Sequence, residues 1–163
     1  DEFPEYVVAI AKAGHDIGNH SENHMYMTQL SPEECTDEIM KVHEKVKDLT
    51  GISMNLFRPP YADYDNMLLR TARDNGYYSI CWDVDSLDWK DYGVDRILKE
   101  IINNKNLGNG SIIRMHNGAK YTLDALDLII EELRDLGYEI VPVSELIHKG
   151  DYYVDQTGRQ YAR

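Results

Sequence analysis

Cysteine is nearly absent from this chain, with two residues in 163. Cys35 falls in a helical pattern and Cys81 in an apolar, strand-like run, and neither stands in a metal-binding or redox spacing. Two inert buried thiols are expected rather than a disulfide. Cations are scarce as well. Seventeen Lys and Arg face 29 Asp and Glu, for a formal net charge of −12. Neutralising a polyanion needs clustered cations, so nucleic acid and an anionic membrane surface are both disfavoured as partners. Long apolar runs are lacking, which argues against a transmembrane helix. No signal-peptide core is visible either, so export is not legible in these residues. Internal repeats, linkers and low-complexity stretches are missing too. What remains is the composition of one soluble globular domain, 42% hydrophobic and 28% charged. A chain of this length buries enough surface to hold a core without staples.

Two hydrophobic periods alternate along the chain. Tyr6, Val7, Ile10 and Ala11 mark a helix that starts at Pro4 and stops at Gly14. A short strand-like stretch covers 15–19. Ser31-Pro-Glu-Glu34 is a capping box with proline at the first helical position, followed by the apolar face Cys35, Ile39, Val42, Val46 and Leu49 and by Gly51. Strands are expected at 54–57, 77–84, 111–115 and 138–143, with helices from Asp63 or Asp65 to Gly76, over 94–104, from a Thr122 cap to Gly137, and briefly from Ser144. Five strands alternating with five helices define an α/β protein with a parallel sheet. Residues 1–148 form the domain, and the polar, Tyr-rich 149–163 form a surface tail or short hairpin.

Reactive side chains follow the strands. His20 and His24 follow the first, Arg58 and Tyr61 the second, Asp83, Asp85, Asp88 and Trp89 the third, and His116 with Asn117 the fourth. In parallel α/β folds the carboxyl ends of the strands open on one face, and sites are built there. On one helical turn the His20/His24 pair would share a face suited to a single Zn²⁺; in a loop, both rings could simply hydrogen-bond to backbone. Zn²⁺ also wants a third protein ligand, and no HxxEH or HExxH arrangement supplies one. Arg58 after a strand and before two prolines is either a plain strand exit or a cation aimed at a carboxylate. Asp83, Asp85 and Asp88 repel one another unless cations sit among them, or else form a solvated acidic loop. His116, at a strand end beside that cluster, reads as a general acid or base, with a satisfied core ring as the other reading.

Together and in this order, these residues resemble the polysaccharide deacetylases, carbohydrate esterase family 4, also described as the nodulation-type deacetylase domain. His20-Ser-Glu-Asn-His24 is similar to the family's H-S/T-x-x-H motif, and Arg58-Pro-Pro-Tyr61 to its R-x-P-Y motif. Asp85-Ser-Leu-Asp88-Trp89 is similar to D-x-x-D-W, and Arg114-Met115-His116-Asn117 to L-x-H-D/N. The resemblance extends to about Leu146. It implies a distorted, seven-stranded type of (β/α) barrel with parallel strands and a divalent metal at its mouth, most often Zn²⁺, with Co²⁺, Ni²⁺ or Mn²⁺ as alternatives. It implies that His20 and His24 are metal ligands and that Asp88 holds His116, which protonates the leaving amine. Arg58 would orient a catalytic carboxylate. Tyr61, through its backbone N–H, and Trp89, Arg114 and Met115 would form the substrate groove. The implied reaction removes acetyl groups from a polysaccharide such as peptidoglycan, chitin or xylan, N-acetyl before O-acetyl. The implied location is extracellular or at the cell envelope. A non-catalytic glycan-binding pseudoenzyme of the same fold is the alternative.

Two departures from the family pattern bear on activity. The T-F-D-D-G motif, source of the family's catalytic base and carboxylate metal ligand, is absent. A missing N-terminal βαβ unit of roughly 30–50 residues explains a parallel-sheet protein that begins in a helix. The expectation is therefore a partial barrel, truncated from a longer gene product and nearly inactive alone, with the site residues gathered in one pocket. The second departure is Arg114, where the family has Leu. By strand alternation Arg114 shares a side with His116; it meets a substrate carboxylate, replaces a missing cation, or pairs with the Asp83/Asp85 cluster.

Overall fold

In the computed structural model, which describes residues 2–155 and 157–163, the first helix starts where its proline permits. Helix α1 (Pro4–Lys12) has Pro4 in its first turn, where a missing N–H costs nothing. None of its residues is buried, and Phe3, Tyr6 and Ile10 stay exposed. Helix α2 (Pro32–Thr50) begins with the full capping box: the Glu34 N–H donates to the Ser31 hydroxyl at 3.2 Å, and the Ser31 N–H donates to the Glu34 carboxylate at 2.8 Å. Gly51, at φ 75°, takes the left-handed position that ends it.

The chain forms two compact units, Asp1–Cys81 and Trp82–Arg163. In the first, strand β1 (Leu56–Phe57) is cut off by Pro59 and Pro60, and helix α3 (Asn66–Asp74) is capped by the Asp65 side chain on the Leu68 N–H. Strand β2 (Tyr78–Ser79) pairs parallel with β1, Leu56 opposite Tyr78, and Asn19 bridges Phe57 in the same sense. Met27, Cys35, Ile39, Phe57, Leu68 and Tyr77 are central to this unit's core.

The second unit repeats the theme. Strand β3 (Val84–Asp85) leads through helix α4 (Val94–Ile102) to strand β4 (Ile113–Arg114), paired parallel with β3 so that Asp85 lies opposite Arg114. Helix α5 (Thr122–Asp135) packs Ala125, Ile129 and Leu133 against Val84, Ile97 and Ile101. The short helix α6 (Val143–Leu146) follows, and strands β5 (Tyr152–Val154) and β6 (Gln160–Ala162) make an antiparallel hairpin of the polar tail. Both cysteines are buried thiols outside any disulfide, and burial pushes the Cys35 thiol up to about 11.

The α/β alternation and the parallel pairing match the sequence, but four expected elements differ, the first being the stretch 15–19, where Asn19 alone bridges Phe57. The apolar run 77–84 is two strands, one in each unit, not one. The stretch 138–143 is not a strand. Ile112 and Ile113 line a cavity of about 570 Å³ together with Tyr138 and Val141, so β4 and that stretch share no ladder. Strand-like composition without a partner makes no strand, and Pro142 has no N–H to donate. Finally, Thr122 does not cap α5. It is the helix's first residue, Tyr121 holds the cap position, and the Thr122 hydroxyl is used elsewhere.

Candidate active site

The His20–His24 segment is a loop, not the helical turn that would have aligned its rings. Left-handed backbone at Ser21 (φ 67°) and His24 (φ 53°) folds it back, and the two rings meet edge to face with centroids 4.9 Å apart. The His24 N–H donates to the Ser21 hydroxyl at 2.9 Å. His20 Nδ1 lies 2.6 Å from the Arg58 carbonyl. A carbonyl can only accept, so Nδ1 carries the proton and Nε2 is left as a lone-pair donor. Partial burial, with the charges of His24 and Arg58, holds His20 below the ordinary imidazole value, against the hydrogen bond to the Arg58 carbonyl. A neutral ring with its tautomer fixed by a backbone carbonyl is the form that binds a metal. The donor chemistry fits Zn²⁺, but two imidazoles fall short of the usual three protein ligands. Among the described residues no group of three His, Cys, Asp or Glu could hold a metal.

Two buried polar residues hold this loop, and no motif in the sequence marks either of them. Asn19 donates from Nδ2 to the Ile39 carbonyl at 2.8 Å and to the Tyr77 hydroxyl at 3.2 Å, and accepts the Ser21 N–H at 3.0 Å. Glu38 on α2 takes both the Asn23 N–H, at 2.8 Å, and the Asn23 side-chain amide, at 2.6 Å. Position alone signals Glu38: it stands three residues after Cys35, on the helix's apolar face.

Arg58 leaves β1 with its N–H donated to the Asn19 carbonyl at 2.9 Å. Tyr61 sits in the turn Pro60–Ala62 at φ 59°, half-exposed, with its ring edge-on to His24 at 4.6 Å. This first unit thus joins His20, His24, Arg58 and Tyr61.

The second unit separates its three carboxylates by giving each a partner. Asp83 accepts from Arg159 at 2.8 Å, from the Ile112 N–H and from the Ser111 hydroxyl. Asp85 pairs with Arg114, whose guanidinium also lies over Trp82, 3.9 Å from its ring centroid. Of the three roles open to Arg114, the structure shows the ion pair. Asp88, fully buried, accepts from the His116 ring Nδ1, the His116 N–H and the Thr122 hydroxyl, each at 2.7 Å. Burial alone would raise the Asp88 carboxyl, but these bonds outweigh it and hold the group down at about 2. His116 keeps 40% of its side chain exposed. Trp89 is exposed in the turn Asp88–Lys90, while Met115 packs against the unit's core.

The second unit thus holds an imidazole oriented by a buried anion, and the first holds His20, whose tautomer a backbone carbonyl fixes. Comparison with known proteins gives the chain a family. The polysaccharide deacetylase model matches residues 1–80. A peptidoglycan-N-acetylglucosamine deacetylase of Bacillus cereus is 36% identical over 153 residues, covering 88% of this chain and 68% of that protein. The peptidoglycan-N-acetylmuramic acid deacetylase PdaC of Bacillus subtilis is 33% identical over 88% of this chain and 30% of its own length. Among solved structures, BA3943 of Bacillus anthracis, a pseudoenzyme of carbohydrate esterase family 4, superposes with a TM-score of 0.84 at 30% identity, covering 89% of this chain and 50% of that one. The chain belongs to the polysaccharide deacetylase family, carbohydrate esterase family 4. It spans between 30% and 68% of the length of these relatives.

Proposed function

We propose that this chain carries the metal-holding and acid-donating parts of a deacetylase that removes N-acetyl groups from a peptidoglycan-type glycan at the cell envelope. The observation that carries the reading is the His116–Asp88 bond at 2.7 Å. Nδ1 is committed to an ionised carboxylate, so Nε2 is the nitrogen free to move a proton. His116 would give that proton to the amine leaving the sugar. His20 and His24 would hold a divalent metal, most readily Zn²⁺, which when bound polarises an acetyl carbonyl and acidifies water. Trp89 and Tyr61 would contact glycan, and the Tyr61 N–H would face the developing oxyanion. The names of the Bacillus cereus and Bacillus subtilis relatives support a peptidoglycan substrate. Chitin-like chains and O-acetylated xylan are the other substrates to test.

The alternative, a glycan-binding protein without turnover, is favoured by one observation. A solved structure that superposes with a TM-score of 0.84 is that of a pseudoenzyme of the same family. The experiment is acetate release from peptidoglycan, acetylated chito-oligosaccharide and acetylated xylan, with Zn²⁺ supplied. It compares these 163 residues with an upstream-extended protein bearing a T-F-D-D-G strand. Turnover in the extended protein that is abolished by His20→Ala or His116→Ala supports the enzyme. Glycan binding with no turnover in either supports the binding protein.

A further inference from the structure

Two tyrosines beside the histidine pair have no part in the acid–base chemistry. Tyr26 and Tyr61 lie face to face, ring centroids 4.1 Å apart and planes 12° apart. Tyr61 meets His24 edge-on at 4.6 Å, and His24 meets His20 at 4.9 Å. The rings therefore touch in succession, from His20 through His24 and Tyr61 to Tyr26. Core packing does not account for the arrangement, because Tyr26 is 50% exposed and Tyr61 53%.

The backbone is set to hold the stack. Tyr61 and Ala62 both take left-handed conformations, φ 59° and 54°, which a residue with a Cβ adopts only when its surroundings insist. Tyr26 precedes the turn Met27–Gln29, and that turn is anchored by the fully buried Met27, whose carbonyl accepts the Cys35 thiol at 3.2 Å. Thr28 ties the two loops together by donating to Asp63 at 2.5 Å. Strain that turns an aromatic ring towards solvent, beside reactive groups, is a mark of binding rather than of stability.

We infer that the Tyr26–Tyr61 stack is a sugar-binding platform, on which Tyr26 receives a neighbouring pyranose of the same glycan strand. This rests on the deacetylase reading for its ligand. A pyranose presents an apolar C–H face ringed by hydroxyls, and a tyrosine presents a flat apolar face with a hydroxyl at its tip. Tyr61 backs the Tyr26 ring and fixes its orientation, so little side-chain freedom is lost when the sugar docks. A platform one ring beyond the histidine pair would make binding depend on chain length.

Calorimetry on the 163-residue protein tests this, with N-acetylchitotetraose and N-acetylglucosamine as the two probes. Tyr26→Ala is expected to weaken tetramer binding about tenfold, by analogy with ring stacking on aromatic side chains elsewhere, and to leave the monosaccharide's affinity unchanged. Tyr26→Phe should bind like the wild type, whereas Tyr26→Leu, which keeps apolar bulk without a flat face, should match Tyr26→Ala. Equal tetramer affinity in the wild type and in both Tyr26→Ala and Tyr26→Leu overturns the platform and leaves the deacetylase reading intact. Tyr26-dependent tetramer binding without turnover in the extended protein keeps the platform and removes the enzyme. A tetramer that fails to bind the wild type removes the platform outright.

Discussion

His116 reaches Asp88 twice, its ring Nδ1 bonding one carboxylate oxygen and its backbone N–H the other, both at 2.7 Å. The strand end and the side chain it carries are thus fixed by a single buried anion. Asp88→Ala would leave the Thr122 hydroxyl and the His116 N–H without their acceptor, and is expected to cost roughly 2–3 kcal/mol in urea unfolding at neutral pH. The same carboxylate predicts an acid response. Its folded value, about 2, lies below the ordinary 3.8, so its contribution is complete above 3.8 and is lost as the pH falls towards 2. Asp88→Asn should flatten that limb of the stability–pH profile. An unchanged limb would mean that other carboxylates govern it.

Much of the local architecture is legible in the amino-acid sequence. The Ser31 capping box, the Gly51 stop and the Asp65 cap are local devices, written in adjacent residues. The acidic cluster poses its own question, how like charges coexist, and the structure answers with Arg159, Arg114 and His116. Long-range relationships are hidden. The pairing of Asp83 with Arg159 joins residues far apart in sequence, and whether 138–143 finds a ladder partner depends on tertiary position rather than composition. Thr122 resembles a cap because it opens the helix, but its hydroxyl serves Asp88.

Ser31→Ala removes one half of the capping box on α2. The expected loss is about 1 kcal/mol in denaturant unfolding. Glu34→Gln, which can still bond the Ser31 N–H, should lose less. Equal losses would show that the Glu34 charge at the helix N-terminus contributes as much as the Ser31 hydroxyl bond.

Glu38 holds the histidine loop through Asn23 without being placed as a ligand itself. If His20 and His24 bind Zn²⁺, Glu38→Ala should lower the affinity about tenfold or more, as loss of supporting groups does at other metal sites. His20→Ala should abolish binding. Calorimetry reads both, and the wild-type affinity should be weak, because two imidazoles leave half the coordination shell to solvent. Nanomolar binding by the wild type would reveal a ligand beyond these two.

Arg114 and Asp85 are partly buried partners on adjacent strands, opposite one another in the ladder. Arg114→Leu, which restores the residue usual in the family's motif, strands the Asp85 charge and should cost roughly 1–3 kcal/mol. Adding Asp85→Ser should return part of that loss, since the uncompensated carboxylate is then gone. A double-mutant cycle with no coupling would reduce the pair to its stacking on Trp82.

The last prediction concerns turnover by these 163 residues alone, which should be absent or nearly so. Attack by water on an acetyl carbonyl needs a base placed on that water, and such a base contributes roughly 10²–10⁴-fold. The three carboxylates of the acidic cluster in the second unit are already engaged. Asp83 is held by Arg159 and two further donors, Asp85 by Arg114 and the Leu87 N–H, and Asp88 by His116. An aspartate held down at about 2 by its donors is a poor proton acceptor near neutral pH, which removes Asp88 from the candidates. The want of a third metal ligand among the described residues compounds the loss. Acetate release on acetylated chito-oligosaccharide, compared with an extended protein bearing a T-F-D-D-G strand, decides the matter. Equal rates would refute the prediction and direct the search to Asp16, through Asp16→Asn in the 163-residue protein. Activity in the extended protein alone, lost in His116→Ala, would place the base on the added strand.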